Sequence, residues 1–126
     1  MLSNMPVFCA LPATDLERAK RFYKEKLDLS PVEERPDGAR YECGDGTGFA
    51  LFISTGESRG DFTQMGIQVP DVRKAVGELK AQGITFEQYD FPGLKTDADG
   101  IAELGDVLGA WFKDSEGNLI AIGEGM

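Results

Sequence analysis

Apolar positions fall in short runs whose period changes along the chain. Val7-Phe8-Cys9-Ala10-Leu11 has the length of a strand, and the Thr14-x-x-Glu17 spacing after it has the form of a capping box. Leu16, Ala19, Phe22, Tyr23 and Leu27 then recur at helical spacing against Glu17, Arg18, Lys20, Arg21 and Lys24. That pattern predicts an amphipathic helix with one face on a sheet. Strand-like runs follow near Ser30–Glu34, Ala39–Cys43 and Gly48–Ser54, separated by the turn sequences Pro36-Asp37-Gly38 and Gly44-Asp45-Gly46. The unit reads βαβββ.

The same grammar restarts after the polar connector Gly56–Asp61. A strand over Phe62–Val69 leads to an N-cap at Asp71, a helix carrying Val72, Ala75, Val76 and Leu79, and a stop at Gly83. One constant offset lays Leu11 on Ile67, Ala13 on Val69, Asp15 on Asp71, Leu16 on Val72, Ala19 on Ala75 and Tyr23 on Leu79. A longer offset lays Tyr41 on Phe112, Asp45 on Glu116, Gly46 on Gly117, Phe49 on Ile120 and Leu51 on Ile122. The difference falls in Asp90–Asp106, which reads as a long loop at one mouth of the domain. The expectation is one α+β domain over 1–126, built from a module at 5–55 and a module at 61–124.

Alternation assigns faces within each strand. Val7, Cys9 and Leu11, with Met65, Ile67 and Val69, are the apolar sets suited to lie under helices, as are Phe49, Leu51, Ile53, Ile120 and Ile122. Phe8, Ala10, Gln64, Gly66 and Gln68 then share the opposite face with Ala50, Phe52, Leu119 and Ala121. Phe112 and Tyr41 are the more apolar neighbours of Trp111 and Arg40, so Trp111 and Arg40 also belong to that opposite face. Glu42 has the parity of Arg40 and is the candidate general base if desolvation raises its pKa. Tyr23 and Tyr41 read as packing residues.

Composition removes several chemistries. The chain has 126 residues, 13 Lys plus Arg against 22 Asp plus Glu, and a net charge of -9, which disfavours phosphate-driven nucleic-acid binding. It contains no histidine, so Ser-His-Asp and Cys-His nucleophiles, His₃ zinc and 2-His-1-carboxylate iron are unavailable. No run approaches the ~18 apolar residues of a membrane span, and the N-terminus lacks the pattern of a signal peptide. A cytoplasmic location with no membrane partner is expected. Cys9 and Cys43 lack CxxC spacing and are expected to be free thiols.

Three segments carry a family resemblance: Leu11-Pro12-Ala13-Thr14-Asp15-Leu16-Glu17-Arg18-Ala19-Lys20-Arg21-Phe22-Tyr23, Ile67-Gln68-Val69-Pro70-Asp71-Val72, and Ala110-Trp111-Phe112-Lys113-Asp114-Ser115-Glu116-Gly117-Asn118. In this order they resemble the vicinal oxygen chelate superfamily, which includes glyoxalases, extradiol dioxygenases, fosfomycin-resistance enzymes and bleomycin-resistance proteins. The resemblance implies two βαβββ modules forming a curved mixed sheet, helices on the convex face, a ligand cavity on the concave face, and a homodimer. It also implies that metal ligands, where the family has them, stand at the positions of Phe8, Ala50, Gln64 and Ala121. Phenylalanine and alanine have no lone pair to give, so no metal and no other cofactor is expected.

Without a metal, the expected cavity is a bowl lined by Phe8, Arg40, Phe52, Gln64, Gln68 and Trp111, the mixture of apolar walls and few polar groups typical of an organic-ligand site. The expected function is binding or sequestration of a small aromatic ligand, neutral or cationic, in the manner of the metal-free bleomycin-resistance proteins. Acids at Asp90, Asp97, Asp99, Glu103 and Asp106 would steer a cation. Two other classes stay open. One is a lyase, isomerase or dioxygenase-type enzyme working without the metal, with Glu42 as base; the other is a non-catalytic structural subunit with a filled bowl.

Overall fold

The computed structural model describes residues 1–125. Strand β1 (Cys9–Ala13) runs into helix α1 (Leu16–Leu27), followed by β2 (Glu33–Arg35), β3 (Gly38–Glu42) and β4 (Gly48–Ile53). Asp15, not Thr14, is the N-cap of α1, its side chain accepting from the Arg18 N–H at 3.0 Å. The Thr14 hydroxyl instead donates to Glu116 across the molecule, a tertiary partner that the local spacing cannot reveal. Asp28 ends the helix in the left-handed region at φ 56°. The four strands form one sheet in the order β1-β4-β3-β2, with β1 parallel to β4 and the other pairs antiparallel.

The second half repeats this plan with β5 (Thr63–Gln68), α2 (Val72–Ala81), β8 (Ile101–Leu104), β9 (Val107–Lys113) and β10 (Leu119–Gly123), in the sheet order β5-β10-β9-β8. Asp71 caps α2 by accepting from the Lys74 N–H at 3.1 Å, and Gly83 follows its end at φ 92°. The expected loop over Asp90–Asp106 is more ordered than a loop. It contains a hairpin of β6 (Asp90–Phe91) and β7 (Leu94–Lys95), then β8, the edge of the second sheet. Edge pairing with β9 organises this polar stretch, and no hydrophobic period announces it.

The βαβββ duplication and the α+β class stand as expected. The sheet is divided in two, however, because the described ladders lie within each module and none joins β1 to β5. Helix α1 packs on β4 and α2 on β9. The alternation holds beneath them: Leu11, Ala39, Tyr41, Phe49, Leu51, Ala110, Phe112, Ile120 and Ile122 are all buried. Tyr41 stacks on Phe49 with ring centroids 4.7 Å apart. Ile53, expected under a helix, is 52% exposed at the end of β4, beyond the reach of α1.

Candidate functional site

A polar joint built from the β9–β10 turn fixes how the two modules meet. Asp114, Glu116 and Asn118 are buried, and burial of two carboxylates requires partners. Asp114 accepts the Tyr23 hydroxyl at 2.7 Å and the backbone N–H groups of Glu116 and Asn118 at 2.8 and 2.9 Å. Glu116 accepts from Arg18 Nε at 2.8 Å, and from the Asp15 N–H, Thr14 and Ser115. Burial alone would raise the Glu116 carboxyl, but the Arg18 hydrogen bond, then Asp15 and Ser115, outweigh it and hold the group down at about 2. Burial, then the adjacent Asp114 carboxylate, pushes the Tyr23 hydroxyl far up, so Tyr23 stays a donor. Sequence reasoning assigned Tyr23 to packing and gave the turn no role. The available signal was the pairing of two turn carboxylates with the polar N-terminus of α1.

Gln64 belongs to this joint. Its amide donates to Asn118 Oδ1 at 2.9 Å, while its oxygen accepts from Ser58 Oγ at 2.7 Å and the Leu119 N–H at 3.1 Å. The β5–β10 register slips between Leu119 and Ile120, which leaves Gln64 unpaired in the ladder and turns its side chain to cap Leu119. Gln64 borders the cleft between the modules, but its amide is engaged within the joint. Asn118 extends the joint by donating to the Pro12 carbonyl at 3.0 Å.

On the faces away from the helices, strand register creates two equivalent rows. In the first module Arg40 lies opposite Ala50, and Ala50 opposite Ala10. In the second, Trp111 lies opposite Ala121, and Ala121 opposite Gly66. Each row is one large side chain beside two small ones, which leaves a flat floor next to it. Tyr89 meets the Trp111 ring edge-on at 5.7 Å, and Phe91 continues the cluster at 5.8 Å from Tyr89. Gln68 is exposed on this side of β5. Phe8 and Phe52 are 68% and 40% exposed beside the first row, so they lie open to solvent and do not fill a core.

The donor chemistry at the family's metal positions does not fit a metal ion. Phe8, Ala50 and Ala121 offer no donor atom, and the Gln64 amide is committed to Asn118, Ser58 and Leu119. Among the described residues no group of three or more His, Cys, Asp or Glu side chains is placed to hold a metal. Glu42 is also ill suited to the role of base: its side chain is 63% exposed and accepts from Arg40 at 3.3 Å, within an ion ladder that continues to Glu33 at 3.5 Å. An exposed, ion-paired carboxylate lacks the secluded setting of a general base. Asp99 pairs with Lys80 at 2.8 Å, and Asp97 accepts the N–H groups of Asp99 and Ile101, so these two acids shape the loop. Cys9 and Cys43 are both free.

The duplicated βαβββ plan is matched by known proteins. The profile described as the Glyoxalase/Bleomycin resistance protein/Dioxygenase superfamily covers residues 6–122. Among solved structures, a lactoylglutathione lyase from Agrobacterium tumefaciens superposes with a TM-score of 0.69 at 22% identity, covering 96% of this chain and 94% of that one. A glyoxalase family protein from Enterococcus faecalis gives 0.69 at 21% identity, covering 98% and 100%. A glyoxalase/bleomycin resistance protein/dioxygenase from Alicyclobacillus acidocaldarius gives 0.68 at 22% identity, covering 96% and 91%. No curated protein shows significant sequence similarity. At these identities the structural likeness speaks for the fold alone. Together with the profile match over nearly the whole chain, it establishes that this protein belongs to the Glyoxalase/Bleomycin resistance protein/Dioxygenase superfamily.

Proposed function

We propose that this chain is a ligand-binding member of its superfamily that holds a planar organic molecule against the open faces of its sheets and works without a metal. The observation that carries the reading is the row Trp111–Ala121–Gly66 with Tyr89 at the indole edge. A flat floor of Ala and Gly beside a large aromatic ring accommodates a second ring, and such a pair is worth ~0.5–1.5 kcal/mol beyond the area it buries. The equivalent row ends in Arg40, whose guanidinium also stacks on planar groups. A binding role suits the side chains better than a catalytic one, because Glu42 is exposed and ion-paired.

The active form in this reading is a cytoplasmic homodimer. Val7, Phe8, Phe52, Ile53 and Phe62 are 93%, 68%, 40%, 52% and 71% exposed, large apolar side chains that a second copy could cover. A second copy covering them would also wall the bowl. Sedimentation at increasing dilution checks this; a constant mass of 13.7 kDa at all concentrations would count against it.

The decisive experiment is a thermal-shift screen of planar aromatic and heteroaromatic compounds, with hits followed by Trp111 fluorescence and by mass spectrometry after long incubation. A stabilising compound that quenches Trp111 and is recovered unchanged supports binding. Conversion of the compound would move the protein to the enzyme class.

A further inference from the structure

The polar joint has no counterpart where the duplication would place one. The offsets that superpose the modules map Tyr23 onto Leu79, Asp114 onto Cys43 and Asn118 onto Thr47. Leu79 has no hydroxyl and Cys43 no carboxylate, so the Tyr23–Asp114 hydrogen bond has no symmetric equivalent, and Asp45, which lies on Glu116, forms no ion pair with a described residue. At that place the modules stand apart, and Leu79, Cys43 and Thr47 line a cleft of about 1320 Å³.

The cleft is walled on the helix side by Phe112 and Ile122 and runs along the whole edge of β5, so that Gln64, Gly66 and Gln68 also line it, while Trp111 does not. Its walls are core residues left unfinished: Cys9, Met65, Ile67, Val69, Ala75 and Leu79 are only partly buried, and all of them line it. Its volume exceeds the ~300–1,000 Å³ of ordinary ligand pockets, enough for a bulky organic molecule.

The charge around the cleft selects the sign of its occupant. Glu25, Asp28, Asp45 and Glu78 stand at its rim with Lys24 and Lys26. None of the four carboxylates forms an ion pair with a described residue. The residues that close both helices, Asp28 for α1 and Gln82 for α2, also line it, and helix C-termini carry partial negative charge. Lys26 reaches across the cleft to the end of α2, its Nζ lying 2.9 Å from where a Cβ on Gly83 would stand.

We propose that the cleft between the modules is a second binding site, centred on the edge of β5 and the helix ends and not on Trp111, for a bulky apolar organic cation. Apolar walls supply the affinity by area burial, and the acidic rim and the helix ends supply the preference for positive charge.

Tetraphenylphosphonium and tetraphenylborate, matched in shape and opposite in sign, are the probes. The expected result in calorimetry is one tetraphenylphosphonium per chain, bound at least tenfold more tightly than tetraphenylborate. Leu79→Tyr with Cys43→Asp rebuilds the missing joint and should weaken binding at least tenfold; the added carboxylate would by itself attract a cation, so loss reports closure. Should that variant not fold, Asp45→Asn with Glu78→Gln alters exposed positions only, and should weaken binding severalfold at low salt and less than twofold at high salt. Trp111→Phe should leave binding unchanged, whatever becomes of the open-face reading. Equal affinity for both probes, no binding, binding insensitive to both double variants, or binding lost only with Trp111 would overturn the proposal.

Discussion

The Tyr23 hydroxyl donates a 2.7 Å hydrogen bond to Oδ2 of Asp114, tying the helix of the first module to the last turn of the second. Tyr41, 5.8 Å from Tyr23 between ring centroids, has a hydroxyl that is equally hidden and has no partner among the described residues. Two tyrosines in one aromatic cluster therefore make opposite contributions, and the same substitution separates them. Tyr23→Phe should destabilise by ~1–3 kcal/mol, because it leaves a buried carboxylate short of a donor, whereas Tyr41→Phe should be neutral or stabilising by up to ~1 kcal/mol. Urea denaturation of both variants checks this; equal losses would contradict it.

Glu116 gives the stability a defined acid limb. Its carboxyl is held at about 2 in the folded chain, below the usual carboxylate value near 4.3. The stabilisation is therefore complete above the unfolded value and is lost as pH falls through that value toward 2. The loss should be on the order of 2–3 kcal/mol between pH 5 and pH 2. Glu116→Gln should flatten this limb and lower stability at neutral pH, readable in thermal midpoints across the range. Unchanged steepness in the variant would place the acid sensitivity elsewhere.

Replacing Trp111 with alanine should weaken an open-face aromatic ligand by ~1–3 kcal/mol, nearly independently of salt, through lost stacking and area. Glu42→Gln should leave affinity within about fivefold, since an exposed ion pair contributes ~0–1 kcal/mol. Titrations at two ionic strengths distinguish the two roles. A product that disappears in Glu42→Gln would restore Glu42 as a base.

Added Ni, Zn, Fe or Mn should not raise the thermal midpoint, because a ligand of the folded state alone must stabilise it and the relevant positions offer no donors. Gln64→Ala should lower stability by ~1–3 kcal/mol by unpairing Asn118 and the Leu119 N–H, with metal content unaltered. A stoichiometric metal lost in Gln64→Ala would refute the first half, and unchanged stability of that variant the second.

The sequence by itself determined the duplicated plan. Strand alternation and helical spacing are local periodicities, and they placed Phe49, Leu51, Ile120 and Ile122 under the helices and Trp111 and Arg40 on the other face. The caps Asp15 and Asp71 and the stop Gly83 act within a few residues, so Asp71 and Gly83 were legible at once. Thr14 was misread because its hydroxyl answers to Glu116, far away in the chain. Gln64 shows the same limit. Parity put it on the open face, but a slip of register against β10 turned it into a joint residue. Only the tertiary structure decided that Glu42 meets Arg40 in solvent, that Asp114 and Glu116 are buried against α1, and that the modules join at one end and part at the other. Such facts depend on which distant groups meet, and a burial cost or a hydrogen bond between distant residues leaves no period in the sequence.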